Sequence, residues 1–416
     1  MDKVEKILDA IGSYFHLDLK YYTKNSFYLL SARVISRGLG FLLSIFLARL
    51  LTKDLYGQWN YIFSIIGMLA IFTLPGMNTA VIQAVAGGHD KVLITGIKEK
   101  FKWSILGSVA VLGVGVYYFL NGLVLLGKCF MISSLFFPFF QNFQVYNAFL
   151  TGKKRFDKVA KYLVVTQVFT VLATLLAVYL TRNLMLMVIA SLASNSLIGG
   201  YFFRSTLKSM ESLSNDPQAI SFSRHLTATQ IPSGLRQHYD KLIIGTSLSF
   251  SDLAIYSIAL GFSNLLNPFR STITTLIFPK LSQMDEKTAY SEVRKRLLFV
   301  VLGFGIPAGI LVILCPYIIP LLYSQKYVGS IFYAQLLLVS MIIAAPVPLL
   351  NKALFPSQKK VNELYKLRIS SSIVEVVLLT VLVLNFGLLG AIIAKILVRT
   401  YNTIYSLKLS GFISTQ

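Results

Sequence analysis

The chain has 416 residues, 55% of them hydrophobic and only 13% charged, with a mean hydropathy of +0.67 and a formal charge of +22 from 39 Lys+Arg against 17 Asp+Glu. A soluble enzyme would carry nearer ~25% charged residues, a disordered chain needs low hydrophobicity, and a nucleic-acid binder would not combine this charge with so much apolar sequence. A polytopic membrane protein remains, and its charge must be explained by where it sits.

Residues 1–26 are mixed polar, and the first long apolar stretch contains Arg33 and Arg37, so no signal peptide is expected. Val4, Ile7, Leu8, Ile11 and Phe15 share one helical face opposite Asp2, Lys3, Lys6 and Asp9, the pattern of an interfacial helix. With roughly 20 mainly apolar residues per crossing, about twelve spans follow, near 27–51, 58–84, 102–120, 123–149, 161–180, 184–204, 225–248, 253–278, 297–316, 328–350, 366–384 and 387–408. Only the short turns Asn121-Gly122 and Asn385-Phe386-Gly387 part the third span from the fourth and the eleventh from the twelfth. Pro75-Gly76, Pro268, Pro307, Pro346 and Pro348 are expected to interrupt spans two, eight, nine and ten. The predicted fold is an all-α polytopic membrane protein.

The connections alternate in basic charge. The N-terminal segment holds Lys3, Lys6, Lys20 and Lys24, the next connection only Lys53, and the one after it Lys91, Lys98, Lys100 and Lys102. Asn121-Gly122 carries none before Lys153, Lys154, Arg155, Lys158 and Lys161, and Arg182 stands alone before Arg204, Lys208 and Arg224. The second half repeats the swing, with Lys326 alone between two basic loops and a bare turn at Asn385. By the positive-inside rule both termini and every long loop are cytoplasmic. The outer connections are all short, which leaves little room there for a catalytic site.

A duplication is also legible. Leu51-Thr-Lys-Asp54-Leu55 corresponds to Ser249-Phe-Ser-Asp252-Leu253, and Ala148-Phe-Leu-Thr-Gly-Lys-Lys154-Arg155 to Ala353-Leu-Phe-Pro-Ser-Gln-Lys359-Lys360, in the same order at a similar spacing. We divide the chain into a segment 1–26, a first lobe 27–208, a cytoplasmic linker 209–224 and a second lobe 225–416. Six spans per repeat is an even number, so the lobes should be related by an axis along the membrane normal, with a substrate route between them.

Nine basic residues lie in or near predicted spans: besides Arg49 and Lys128 these are Arg33, Arg37, Arg236, Lys241, Arg270, Lys395 and Arg399, a set of seven opposed only by Asp240 and Glu375. At about 2.5–3.5 kcal/mol each, seven cations facing lipid would cost of order 20 kcal/mol, so they are expected to line protein or a wet cavity. Arg236 and Asp240 lie four apart and could pair along one helix, and Glu375 could pair with a second-lobe base; a cationic excess survives both. Ala32, Ser36, Gly40, Ser44 and Ala48 form a small-residue stripe suited to close helix packing beside the arginines. A cationic cavity should hold an anion, and the arginine fork suits phosphate oxygens.

Other chemistries lack their residues. Cys129 and Cys315 lie in apolar runs, and the four histidines show no zinc spacing, so no metal site is expected. No Gly-x-x-x-x-Gly-Lys-Ser/Thr run suggests nucleotide hydrolysis. We assign no catalytic residue and no cofactor, and proton or sodium coupling falls to Asp240, Glu375 and His238 as the candidate carriers.

The run Ser31-Ala-Arg33-Val-Ile-Ser36-Arg37-Gly-Leu39-Gly40-Phe41, continuing into Leu47-Ala48-Arg49-Leu50-Leu51-Thr-Lys-Asp54-Leu55-Tyr56-Gly57, resembles the opening of polysaccharide-transporter (Wzx-type) flippases. So do Asp240-Lys241-Leu-Ile-Ile-Gly245 and Asp252-Leu-Ala-Ile-Tyr256-Ser. Ser36-Arg37-x-Leu39-Gly40-Phe41 is similar to the first helix of lipid II flippases in the same multidrug/oligosaccharidyl-lipid/polysaccharide (MATE-like) superfamily. The resemblance implies a V-shaped two-lobe transporter of the bacterial inner membrane. It would turn undecaprenyl-diphosphate-linked oligosaccharide, such as an O-antigen unit of lipopolysaccharide, to the outer leaflet by alternating access. It further implies membrane lipids, a polymerase and a chain-length regulator as partners, with no nucleic acid. Only Arg37 takes a diphosphate role from the resemblance; the other six bases rest on the charge argument. The lipid II flippases have additional tail-binding spans, to which nothing in these twelve corresponds.

A MATE-type multidrug/cation antiporter is the alternative, but it should carry acidic residues in the first lobe's spans, and none falls in those predicted here. An O-antigen polymerase should show a long outer loop, and a scaffold without transport leaves the buried charges unexplained.

Overall fold

The computed structural model describes residues 19–267, 281, 283–358 and 361–410, and among them every regular element is helical. The amphipathic stretch at residues 4–15, Pro268 and Arg270 lie outside the described residues. Among the described residues, eight helices are long and apolar enough to cross a membrane, nine if one bent pair counts as a span. Their exposed faces are apolar, the reverse of a soluble protein. On α11 (Glu286–Tyr323), Leu298, Leu302, Ile306, Ile310 and Ile313 form one outward stripe, with Ile313 71% exposed. Such a stripe is what a membrane-spanning helix presents to lipid.

The chain forms two compact units, one of residues up to Leu47 with Leu69–Gln230, the other of Ala48–Met68 with Ile231 onward. Helix α1 (Leu19–Leu50) runs from the first unit into the second, and α2 (Lys53–Leu69) belongs to the second but for its last residue. The first unit continues with α3 (Gly76–Ala86), α4 (Val92–Leu120), α5 (Val124–Phe140), α6 (Val145–Gly152), α7 (Phe156–Thr181) and α8 (Leu184–Leu207). Helix α9 (Ala219–Ser247) passes from the first unit to the second next to Pro232. The second unit adds α10 (Phe250–Ser263), α11, α12 (Ser330–Ile343), α13 (Pro346–Ser357) and α14 (Val361–Leu409).

Several predicted spans are interrupted. The second breaks at a 3₁₀ turn, Ala70–Thr73, followed by left-handed Leu74 and by Pro75. The fourth breaks between α5 and α6 at Gln141–Gln144, and the tenth between α12 and α13, where Pro346 supplies the first residue of the new helix. The expected interruption at Pro307 is absent: α11 runs continuously through Pro307, Pro316 and Pro320 for 38 residues. Spans eleven and twelve are the two arms of α14, folded over at Gly387, whose φ of 57° and ψ of −138° favour a residue without Cβ. The third span begins earlier than expected, so Glu99 and Lys100, read as loop residues, are buried in α4, Lys100 at 1% exposure.

The two segments matched as a repeat do similar work. Before α2, the Thr52 hydroxyl accepts the Leu55 amide (3.3 Å); before α10, the Ser249 hydroxyl accepts the Asp252 amide (3.0 Å) in a capping box. Ala148, Phe149 and Leu150 lie in the core of the first unit with Met77 and Val81, while Ala353, Leu354 and Phe355 lie in a core of the second with Val293 and Phe304. Gly57 allows α2 to approach α10, since a Cβ there would lie 1.8 Å from the Phe250 carbonyl oxygen.

The linker after α8 is tied to the first unit. Fully buried Asp90 accepts the Glu211 amide (2.8 Å) and the Ser212 amide (3.3 Å) and pairs with Lys153 (2.9 Å), which also holds Glu211 (2.8 Å). Burial works against the charged Asp90, but these amides and the Lys153 ammonium outweigh it and hold its carboxyl below the usual range. The same contacts, Glu211 foremost, raise the Lys153 ammonium above its ordinary value against the opposing effect of burial.

Candidate functional site

Six of the predicted charges lie on two helices of the second unit. Helix α9 supplies Arg236, Asp240 and Lys241, the first arm of α14 supplies Glu375, and the second arm supplies Lys395 and Arg399. Lys395 donates to Asp240 Oδ2 at 2.9 Å and to Glu375 Oε1 at 2.7 Å. Arg236 Nη1 donates to Glu375 Oε2 at 2.8 Å, and the Tyr256 hydroxyl on α10 donates to Asp240 Oδ2 at 2.7 Å. Asp240, Glu375 and Tyr256 are buried, so these contacts replace hydration that the carboxylates have lost.

This arrangement corrects one expectation. Arg236 pairs with Glu375, 139 positions away, and not with Asp240 on its own helix. Asp240 is turned into the unit toward Lys395 and Tyr256, whereas the Arg236 side chain keeps 37% exposure. Two carboxylates, one lysine and one arginine make the cluster formally neutral. Two further cations of the predicted spans have hydrogen bonds to neutral oxygens. Lys241 donates to the Asn60 side chain of α2 (3.2 Å), and Arg399 to the Leu337 carbonyl (2.8 Å) and the Ser340 hydroxyl of α12. His238 lies against Gly67 of α2, where a Cβ would meet its ring at 2.6 Å, and does not join the cluster.

In the first unit, Arg33 and Arg37 are exposed on α1 and make no ion pair among the described residues. The small-residue stripe beside them packs inward: Ala32 is buried, and a Cβ on Gly40 would sit 3.7 Å from Gln167 of α7. Arg33 borders a cleft of about 280 Å³ with Asn78 of α3, Gln144 before α6, and Asn147 and Thr151 of α6.

Several participants escaped the sequence reading. Tyr256 appeared only inside a motif, and Asn60, Ser340 and the amide residues of the cleft were not singled out. A polar Gln141-Asn142-x-Gln144 run within an apolar span was the available signal for the last. Nor was the pairing of helix ends foreseen. Arg49 Nε donates to the Leu322 carbonyl at the end of α11 (2.7 Å), while Lys326 donates to the Arg49 and Leu51 carbonyls at the end of α1 (3.1 and 2.6 Å). Each cation satisfies the other helix's last carbonyls.

Residues 46–332 match the family described as polysaccharide biosynthesis protein. The chain is 23% identical over 407 residues to a Haloferax volcanii protein named "Probable low-salt glycan biosynthesis flippase Agl15", covering 94% of this chain and 84% of that one. Among solved structures it is similar to the lipid II flippase MurJ in an inward closed conformation, with a TM-score of 0.70 at 14% identity over 92% of this chain and 87% of that one. It is also similar to an inward-facing MATE family multidrug resistance transporter of the MOP superfamily, with a TM-score of 0.58 at 14% identity over 90% and 93% of the two chains. The two structural likenesses establish a common fold.

Proposed function

We propose that this chain, which belongs to the polysaccharide biosynthesis protein family, is a flippase for lipid-linked oligosaccharide, with undecaprenyl-diphosphate-linked surface-glycan units as its substrates. The observation that carries the reading is the pair Arg33 and Arg37, exposed one turn apart on a mainly apolar helix with no carboxylate partner among the described residues. Such guanidinium groups remain available to diphosphate oxygens. Lys241, Arg270 and Arg399 belong to the same candidate set.

The substrate headgroup crosses by alternating access while its polyprenyl tail stays in lipid. The chain works in a bacterial inner membrane with cytoplasmic termini, alongside a polymerase and a chain-length regulator. Asp240 and Glu375 are the candidates for coupling to protons or sodium; both already neutralise basic side chains, which favours a locking role for them in the state described.

The antiporter alternative draws less support. Glu99 is an acidic residue inside α4, ahead of the predicted start of the third span, yet Arg224 and Trp103 occupy its carboxylate. The test is Arg37→Ala in proteoliposomes with fluorescent polyprenyl-diphosphate-linked sugar. Losing charge-assisted contacts should slow flipping at least about tenfold with unchanged thermal stability. Wild-type flipping by this variant would refute the diphosphate role.

A further inference from the structure

The cleft bordered by Arg33 in the first unit has a composition that the diphosphate reading does not require. Its polar lining is three carboxamides, Asn78, Gln144 and Asn147, with the Thr151 hydroxyl and one guanidinium, and among the described residues no carboxylate borders it. A carboxamide offers both donors and acceptors, as does every hydroxyl of a sugar ring. A site for phosphate alone would use cations, and a site for a cation would use carboxylates. The Gln144 amide is held by Asn195 of α8 (Nε2 to Oδ1, 3.3 Å), so one polar group is pre-positioned. Ile82 and Leu163 give the cleft an apolar wall, suited to the C–H face of a ring. At about 280 Å³ it falls just below the ~300–1,000 Å³ usual for small-molecule sites, room for one ring and not an oligosaccharide.

We propose that this cleft binds the sugar ring attached directly to the diphosphate, with Asn78, Gln144, Asn147 and Thr151 reading its hydroxyls and Arg33 spanning to the adjoining phosphate. The inference rests on the flippase reading and adds the residues that distinguish a glycan-bearing lipid from its bare carrier. Arg37, one turn further along α1, lies outside the cleft lining and serves the phosphates alone.

The test uses the detergent-purified full chain and two probes, undecaprenyl diphosphate and the same lipid carrying one N-acetylhexosamine. Wild type should bind the sugar-bearing probe about tenfold more tightly, a factor that one or two hydrogen bonds supply. Asn78→Leu and Asn147→Leu should reduce that preference to about twofold or less while leaving affinity for the bare lipid unchanged. Arg37→Ala should weaken both probes alike. Thr151→Val, a near-isosteric change, provides the same comparison should a leucine variant lose its monodisperse elution profile. If the variants keep the full preference, or wild type binds both probes equally, the sugar site is refuted and the flippase reading stands. If wild type binds neither probe, the flippase reading fails and this inference with it.

Discussion

Replacing Lys395 with methionine removes the one ammonium that two buried carboxylates share. At an effective dielectric of ~20, charges 2.7–2.9 Å apart attract by about 6 kcal/mol, most of which offsets the desolvation of Asp240 and Glu375. What the variant loses is the compensation: among the described residues Asp240 keeps hydrogen bonds from Tyr256 and the Lys241 backbone amide (2.8 Å) but no ion pair, and Glu375 keeps the partly exposed Arg236. Breaking one side of a buried pair typically costs ~3–5 kcal/mol. For a unit of this size that is roughly 6–20 °C in melting temperature. Thermal unfolding in detergent, followed by intrinsic fluorescence, measures it. The triple variant Lys395→Met/Asp240→Asn/Glu375→Gln removes the uncompensated charges and should recover most of the loss, giving a strong coupling in the cycle. A Lys395→Met protein as stable as wild type would refute the network as a buried electrostatic unit. So would a triple variant no more stable than the single one.

Two further outcomes follow from contacts outside this cluster. Asp90, its carboxyl held below the ordinary range, stabilises the linker at pH values above the unfolded-state pKa near ~3.9, a contribution lost as pH falls through its folded value. Lys153, raised above the ordinary range, contributes fully below ~10.4 and loses its contribution as pH rises through its folded value. Hence protease cleavage of the linker should be slowest in the neutral range. Asp90→Asn at pH 7 should accelerate it roughly tenfold or more, the worth of its charged hydrogen bonds; an unchanged cleavage rate would contradict the clamp. At the paired helix ends, Arg49→Ala and Lys326→Ala should each destabilise by about 1–2 kcal/mol. The double variant should fall measurably short of additivity because both caps hold the same two termini, and strict additivity would show the caps to be independent.

What could be read from the sequence was set by the range of the interactions involved. Spans at 156–181 and 184–207 were found within five residues because an apolar run and its bounding Arg182-Asn183 are local. Asn183 indeed caps α8, accepting the amides of Met185 and Leu186. The turn at Gly387 was visible for the same reason. The break at Gln141–Gln144 was written in polar residues but outweighed by the apolar residues around them. Pro307 misled in the opposite direction, since α11 absorbs a proline without ending. That buried cations needed partners was legible from charge and hydropathy; which partner each took was not. Arg236 and Asp240 have the spacing of an intrahelical pair, yet their partners come from α10 and from both arms of α14, and only tertiary packing brings those together.

The hairpin in α14 also bears on how the protein enters a bilayer. Glu375 and Lys395 lie on opposite arms joined by Gly387 and meet at 2.7 Å. Each arm taken separately brings an ionised group into lipid at a cost of about 2.5–3.5 kcal/mol, whereas the closed hairpin brings a neutralised pair. Biogenesis would therefore favour delaying the first arm until the second has left the ribosome, so that a single glycine governs the order of assembly as well as the turn. In an insertion assay the first arm alone should integrate less completely than the hairpin, and Glu375→Gln in the isolated arm should abolish the difference. Equal integration of the unaltered arm and the hairpin would show that the pair forms only after insertion.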